Sequence, residues 1–257
     1  MSGKPYTLSV IIIAKNEADR IETCLKSVSR IADEIILFDS GSTDQTIEIA
    51  KKYTEKIFVT DWPGYGPQKQ RALDQATGEW VLSIDSDEAL SPELESEIEV
   101  VLSTRPKERA FRLKWGVVIF GRLLSHGRSA RSVLRLFKRE GAYFSKAMVH
   151  EKVLLPEGKV GRLNHLLYHY DIRDFEHYLH KNSLYAWLWA KQRHQQKKRG
   201  SLLGASFRAF WVFFQIYIIR GGVLDGAEGF LVAAMYSQYS FNKYAGLWSL
   251  SRRQRVS

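Results

Sequence analysis

Trp80-Val81-Leu82-Ser83-Ile84-Asp85-Ser86-Asp87 is an apolar run of strand character that ends in two carboxylates. Ligands of open α/β sheets collect at the carboxyl ends of strands. An acidic pair there suits a divalent cation, which takes oxygen ligands and is often shared between one or two carboxylates and a substrate's phosphates. A short acidic triplet taken alone is more often a solvated loop. Its meaning depends on what the rest of the chain brings beside it.

Upstream of this run the chain alternates between two periodicities. Residues 8–14 are apolar and β-branched, a buried strand. Asn16 is placed to cap a helix whose apolar stripe is Ile21, Cys24, Leu25 and Val28. Residues 34–38 form a second strand that ends at Asp39, and Ser42 or Thr43 can cap a helix reaching about Tyr53. A third short strand spans 56–60, a helix stopped by Gly78 spans 68–76, and Ser91-Pro92 opens another helix with proline at its favoured first position. Strands alternating with helices predict an α/β fold with a mostly parallel, doubly wound sheet.

From about Arg109 the pattern changes. Residues 111–115, 133–137 and 163–170 read as longer strands, mixed or antiparallel additions to the sheet. The chain turns helical after Asp174 through about Arg193, and a basic linker leads to an aromatic-rich stretch, residues 202–248. The expected division is residues 1–200, with halves of about 1–105 and 106–200, followed by a C-terminal helical region, 201–257.

The 257 residues fit one large domain, or one domain with a substantial appendage. A single cysteine, Cys24, excludes an intrachain disulfide and a cysteine-based metal site, and its place on an apolar helix face assigns it to the core. No charged segment followed by a long apolar stretch opens the chain, so no secretory signal is expected and a reducing cytosolic location fits. The net charge of +10 calls for anionic partners: nucleic acid, acidic lipid head groups or phosphorylated glycolipids. The sequence carries no recognisable nucleic-acid module. Charge concentrates in residues 191–199 and in the tail at Arg252, Arg253 and Arg255. The apolar stretch that starts at Leu202, broken by Arg208 and Arg220, reads as too short and too charge-flanked for a membrane span of about 20 residues. A helix lying in the membrane interface accounts for its aromatic face and bordering cations; a helix pair packed on the main domain is the alternative.

Three strand ends carry distinctive polar groups: Ala14-Lys15-Asn16-Glu17, Asp39-Ser40-Gly41-Ser42-Thr43-Asp44 and Asp85-Ser86-Asp87-Glu88. If the strands are parallel neighbours, these groups line one rim, suited to a nucleotide with a metal. Gly64-Tyr65-Gly66-Pro67-Gln68-Lys69-Gln70-Arg71 adds a glycine-containing loop, cations and a helix N-terminus, which suit anionic oxygens.

This order of motifs resembles the family 2 glycosyltransferases of GT-A fold, a Rossmann-like, doubly wound mixed sheet. Arg135-Leu136-Phe137-Lys138-Arg139 and Val149-His150-Glu151 narrow the resemblance to the lipopolysaccharide inner-core β-1,4-glucosyltransferases that act on heptose. The resemblance implies a UDP-sugar donor, Mg²⁺ or Mn²⁺, a lipid-anchored phosphorylated saccharide as acceptor, and C-terminal amphipathic helices on an anionic membrane surface. Asp39 would contact uracil, with Asn16 and Glu17 shaping the nucleoside pocket. Asp85 would lie near the ribose, Asp87 would ligate the metal, and Gln68, Lys69 and Arg71 would face phosphate or donor sugar. Arg135 and Arg139 alternate with apolar residues and can share one face toward phosphates. Transfer with inversion needs a general base on the acceptor hydroxyl. Glu151 is the favoured base with Glu88 its rival, and His150 falls near the metal or diphosphate. A different nucleotide sugar passed to a polyprenyl phosphate or another polysaccharide is the alternative enzymatic reading, and a non-enzymatic cationic binding protein the alternative outside enzymes.

Overall fold

The computed structural model describes residues 4–127, 129, 131–145 and 151–253. Two compact units fall within Met1–Gly116 with Arg131–Tyr170, and within Val117–Ala130 with Asp171–Ser257.

In chain order, the first unit begins with β1 (Leu8–Ala14), α1 (Ile21–Val28), β2 (Glu34–Asp39), α2 (Thr46–Ala50), β3 (Ile57–Val59), α3 (Tyr65–Asp74), β4 (Trp80–Ser83), β5 (Glu88–Leu90) and α4 (Pro92–Ser103). There follow β6 (Ala110–Ile119), β7 (Arg122–Leu123), β8 (Ser132–Lys138), β9 (Tyr143–Phe144), β10 (Val153–Leu154) and β11 (Val160–Ile172). The sheet order is β3-β2-β1-β4-β8-β6-β11-β5. Strands β1 to β4 are parallel, whereas β8 joins β4 and β6 antiparallel, and β11 joins β5 antiparallel. This is the mixed α/β sheet expected: a parallel half first, then antiparallel additions.

Strand β1 explains why the sheet must be covered on both faces. All seven of its residues are buried. Leu8, Val10 and Ile12 pack with Ile21, Leu25, Leu94 and Ile98 of α1 and α4, whereas Ile11 and Ile13 pack with Ala72 and Leu73 of α3. Strand β2 alternates in the same way, Ile35 and Leu37 to one cluster, Ile36 and Phe38 to the other. A strand buried on both faces reads as a continuous apolar run, which is why 8–14 was legible. Cys24 lies in this core, and burial first, then the nearby carboxylates, push its thiol pKa well up.

Local details differ from the sequence reading at two caps. Helix α2 starts at Thr46, with Asp44 Oδ1 accepting its N–H at 3.0 Å, so Asp44 does the work assigned to Ser42 or Thr43. Asn16 does not cap α1, which begins five residues later. Ser91 does cap α4, accepting from Leu94 N at 3.1 Å.

Glu34, at the start of β2, accepts from Thr77 N at 2.6 Å and from Thr77 Oγ1 at 2.9 Å, and also from Lys56 and Ser9. Its burial acts to raise the pKa, but Lys56, Ser9 and Thr77 outweigh it and lower the value to about 2. A depressed carboxyl stabilises the fold above its unfolded pKa of about 4.3 and loses that contribution as pH falls toward its folded one. Glu34→Gln should therefore cost about 2–3 kcal/mol at neutral pH. The gap to the parent chain should close between about pH 4.5 and pH 2, in urea titrations run across that range.

The second unit holds the end of β6, β7, and three helices: α5 (Phe175–Gln195), α6 (Leu202–Phe214) and α7 (Gly226–Arg253). Residues 171–200, grouped with the first domain in the sequence reading, belong to this unit. Helix α7 packs against both α5 and α6. Its entry is tight: a Cβ on Gly229 would lie 1.9 Å from the Gly222 carbonyl oxygen, so only glycine fits. Buried Asp225 accepts the backbone N–H groups of Ser125 and His126 at 3.0 and 2.9 Å, tying the turn before α7 to the loop after β7. Helix α6 runs on through a wider turn at Gln215–Ile219. The continuous stretch Leu202–Ile219 has 18 residues and is long and apolar enough, by length and composition, to cross a membrane. It exceeds the sequence expectation because Arg208 is its one charged residue and the helix does not break before Arg220.

Candidate active site

The parallel order β3-β2-β1-β4 sets the carboxyl ends of β1, β2 and β4 side by side, with Ala14 paired to Asp39. The first two loops are laced together. Asn16, in a left-handed conformation (φ 54°), donates its N–H to Ser42 Oγ at 2.8 Å and accepts from Thr43 N through its side chain at 2.8 Å. Glu17 N donates to Thr46 Oγ1 at 2.8 Å. Asp39 is completely buried, and its Oδ1 accepts from Gly41 N at 2.9 Å and Ser42 N at 2.7 Å while Oδ2 accepts from Ser42 Oγ. Gly41 supplies the positive φ (80°) that this turn requires. These bonds hold the loop in shape and use three of the carboxylate's acceptor sites.

Helix α3 brings the cations. Gln68 and Lys69 are buried on its inner side. Gln68 Nε2 donates to Ser40 Oγ at 3.1 Å and Thr60 Oγ1 at 2.9 Å. The neighbouring Lys69 Nζ donates to Asp85 Oδ1 at 2.7 Å and Glu151 Oε1 at 2.6 Å. One turn of helix therefore bridges the ends of β2 and β4, and Glu151 joins them from a distant segment. Arg71 reaches the cluster through Gln68, its Nη1 donating to Gln68 Oε1 at 3.2 Å. The same nitrogen pairs with Asp61 at 2.8 Å, so Arg71 meets neighbours different from those of Lys69, as residues two apart on a helix do.

The acidic loop after β4 divides its carboxylates by environment. Asp85 sits between Lys69 and Arg135. Burial acts to raise its pKa, but Arg135 and then Lys69 prevail and hold it well below the usual range. Glu88 is completely buried; it accepts from Arg135 Nη2 at 2.6 Å, the Trp115 indole N–H at 2.7 Å and Asp85 N at 2.9 Å. Burial raises the Glu88 pKa against the pull of Arg135, with Asp85 adding to the rise. No acceptor hydroxyl reaches a carboxylate so enclosed, which removes Glu88 as the rival base. Arg139 is also reassigned: its Nε donates to Gly78 O at 2.9 Å, away from Arg135.

Asp87 is partly exposed, as Asp85 is, but its cationic neighbours stand farther off. Its nearest partners are His169 Nε2 at 3.6 Å and Arg20 at 3.8 Å. Arg20 is itself held by the Glu17 carboxylate and by donation to Tyr170 O at 2.8 Å. The His169 ring stacks on Trp115 with centroids 4.4 Å apart and planes 2° from parallel. Among the described residues no group of three or more His, Cys, Asp or Glu side chains is arranged to hold a metal. Mg²⁺ and Mn²⁺ bound with a diphosphate need few protein donors, one or two carboxylates with the phosphates and water supplying the rest. Asp87 with His169 fits that mode of binding. His150, the other metal candidate, lies outside the described residues.

Sequence reasoning missed Arg20, Trp115 and His169. Arg20 carried a local signal, standing three residues after Glu17. Trp115 and His169 carried none, because each reaches the site through strand pairing, with His169 opposite Glu88.

Comparison with known proteins gives the family. A family model described as glycosyl transferase family 2 matches residues 9–106, the segment that holds the β1, β2 and β4 loops. A glycosyltransferase of Rickettsia typhi is 32% identical over 259 residues, covering 96% of this chain and 89% of its own. The chain belongs to the family 2 glycosyltransferases. The transferase is also 32% identical, over 247 residues, to the lipopolysaccharide core biosynthesis glycosyltransferase LpsC of Rhizobium meliloti, covering 91% of this chain and 89% of that one. Among solved structures it is similar to glucosyl-3-phosphoglycerate synthase of Mycobacterium tuberculosis in complex with Mn²⁺, UDP and glucosyl-3-phosphoglycerate, at 28% identity and a TM-score of 0.38, over 43% of this chain and 44% of that one.

Proposed function

We propose that this glycosyltransferase moves a hexose, glucose from UDP-glucose, onto a heptose of the lipopolysaccharide inner core, with inversion at the anomeric carbon. The observation that carries a nucleotide-diphosphate donor is the convergence of Asp85, Asp87, Lys69 and Arg135 with the β1 and β2 loops at one sheet rim. The likeness to LpsC along nearly the whole chain supports a lipopolysaccharide acceptor.

The residues then divide the work. The laced loops at Asn16, Glu17 and Asp39 wall the nucleoside pocket. Asp87, with His169 beside it, would hold Mg²⁺ or Mn²⁺, which supplies positive charge at the diphosphate. Lys69 and Arg135 add fixed positive charge on the same rim, where charge grows as the leaving group departs. Glu151, oriented by Lys69, takes the proton of the acceptor hydroxyl as its oxygen bonds to the anomeric carbon. The bond from that carbon to the diphosphate oxygen breaks, and UDP leaves with the electron pair.

Mass spectrometry of the lipopolysaccharide core from cells with and without the gene tests the reading directly. The expected result is loss of one inner-core hexose; an unchanged core refutes the acceptor. A screen of nucleotide sugars with purified protein decides the donor. Asp87→Ala should abolish the metal dependence of UDP binding measured by calorimetry, while the fold, judged by thermal melting, persists. A variant that still binds UDP in a metal-dependent way refutes the assignment of Asp87.

A further inference from the structure

The face of α6 turned away from α7 is an apolar ridge that the described residues of the second unit leave exposed. Leu203, Phe207 and Phe210 are 86%, 69% and 65% exposed, and Phe214 and Ile218 continue the line. Their spacing of three or four residues keeps them on one side of the helix. The other side is packed: Ala205 and Ile216 are buried, Phe213 meets Phe230 of α7 edge-on at 5.7 Å, and Ser237 Oγ donates to Ala209 O at 2.8 Å. Contiguous exposed apolar surface of this kind marks an interaction site.

The charge around the ridge selects its partner. Between Glu176 and Asp225 the chain has eight lysines and arginines and not one carboxylate. After Glu228 no acidic residue follows to the end of the chain. Both of those turn carboxylates are already engaged, Asp225 by the 125–126 backbone and Glu228 by Arg122 at 2.6 Å. A second copy of this chain would bring like charges together around the ridge. An anionic lipid surface would neutralise them, and a leaflet rich in acidic lipids attracts such residues.

We infer that the Leu203–Phe207–Phe210–Phe214 ridge seats in the head-group boundary of a negatively charged leaflet, the inner face of the cytoplasmic membrane, with α6 lying in the plane of the surface. Burying the ridge removes apolar area from water, and the adjoining basic segment at Lys197, Lys198 and Arg199 meets the lipid phosphates. The packing of α6 on α7 argues for lying over spanning, since a spanning α6 would carry Gln238, Asn242 and Lys243 of its partner into hydrocarbon. The inference rests on the second unit alone and is independent of which sugar is transferred.

Flotation of the full chain with phosphatidylcholine vesicles, with and without phosphatidylglycerol, tests it. Binding should require phosphatidylglycerol and weaken as salt rises. Changing Leu203, Phe207 and Phe210 together to serine should lower the vesicle-bound fraction at least about tenfold while leaving UDP affinity and the melting temperature unchanged, because the three side chains are exposed. A second variant, with Lys197, Lys198 and Arg199 changed to glutamine, should lose most of the binding that phosphatidylglycerol adds. Three results would overturn the inference: vesicle binding by the serine variant equal to that of the parent, or none by the parent; a membrane-bound protein that resists alkaline carbonate, which indicates a span; or a lipid-free dimer that the serine variant splits, which assigns the ridge to a second copy. UDP binding that survives when flotation fails separates this inference from the assignment of the active site.

Discussion

Glu151→Gln lowers turnover by about 10²–10⁴-fold, the usual contribution of a positioned general base, with UDP affinity and thermal stability near those of the parent. The amide keeps the size of the side chain and removes its capacity to accept a proton. Lys69, buried and bound to Glu151, retains Asp85 at 2.7 Å, so the substitution leaves no cation stranded. Single-turnover kinetics separate the chemical step from product release, and the defect should lie in the chemical step. Near-normal turnover rejects Glu151 as base. Since Glu88 is sealed beneath Trp115 and Arg135, that result would send the search to groups on the acceptor side of the rim.

Arg135→Met is the largest stability change expected in the chain. The arginine neutralises two carboxylates at once, Asp85 and the fully buried Glu88. Removing one partner of a buried ionic group costs about 3–5 kcal/mol, because the remaining charge has neither water nor a counter-ion. For a chain of this size that lowers the melting temperature by about 6–20 °C. The pH dependence has a definite sign. Glu88 already has a raised pKa from burial, and without Arg135 it rises further. A carboxyl with a raised folded pKa binds its proton more readily in the folded state, so the variant's deficit shrinks as pH falls toward the acid range. Adding Glu88→Gln, which keeps an acceptor for the Trp115 indole and removes the charge, should recover much of the loss at neutral pH. A deficit that does not change with pH would show that the cost is lost packing and not an unpaired carboxylate.

The two variants separate duties that the sequence presents as one acidic cluster. Asp85, Asp87 and Glu88 lie within four residues, and spacing alone offers all three to a metal or to proton transfer. Their surroundings distribute the roles: Asp85 is held between two cations, Glu88 is locked beneath an indole, and Asp87 has only the more distant His169 and Arg20 beside it among the described residues. Arg71 and Lys69 diverge in the same manner, two residues apart on one helix and turned to different neighbours.

What the sequence by itself determined is the parallel half of the sheet and the rim it creates. A strand buried on both faces must be apolar throughout, so residues 8–14, 34–39 and 80–83 announce themselves, and polar groups at their carboxyl ends follow from the alternation with helices. How closely each carboxylate is paired, and with what, came from the folded chain. Arg20, Trp115, Arg135, Glu151 and His169 reach the site from segments up to about 150 residues apart, through strand pairing and long side chains. Burial and charge pairing, which set a carboxylate's role, depend on those distant neighbours and leave no local mark in the chain.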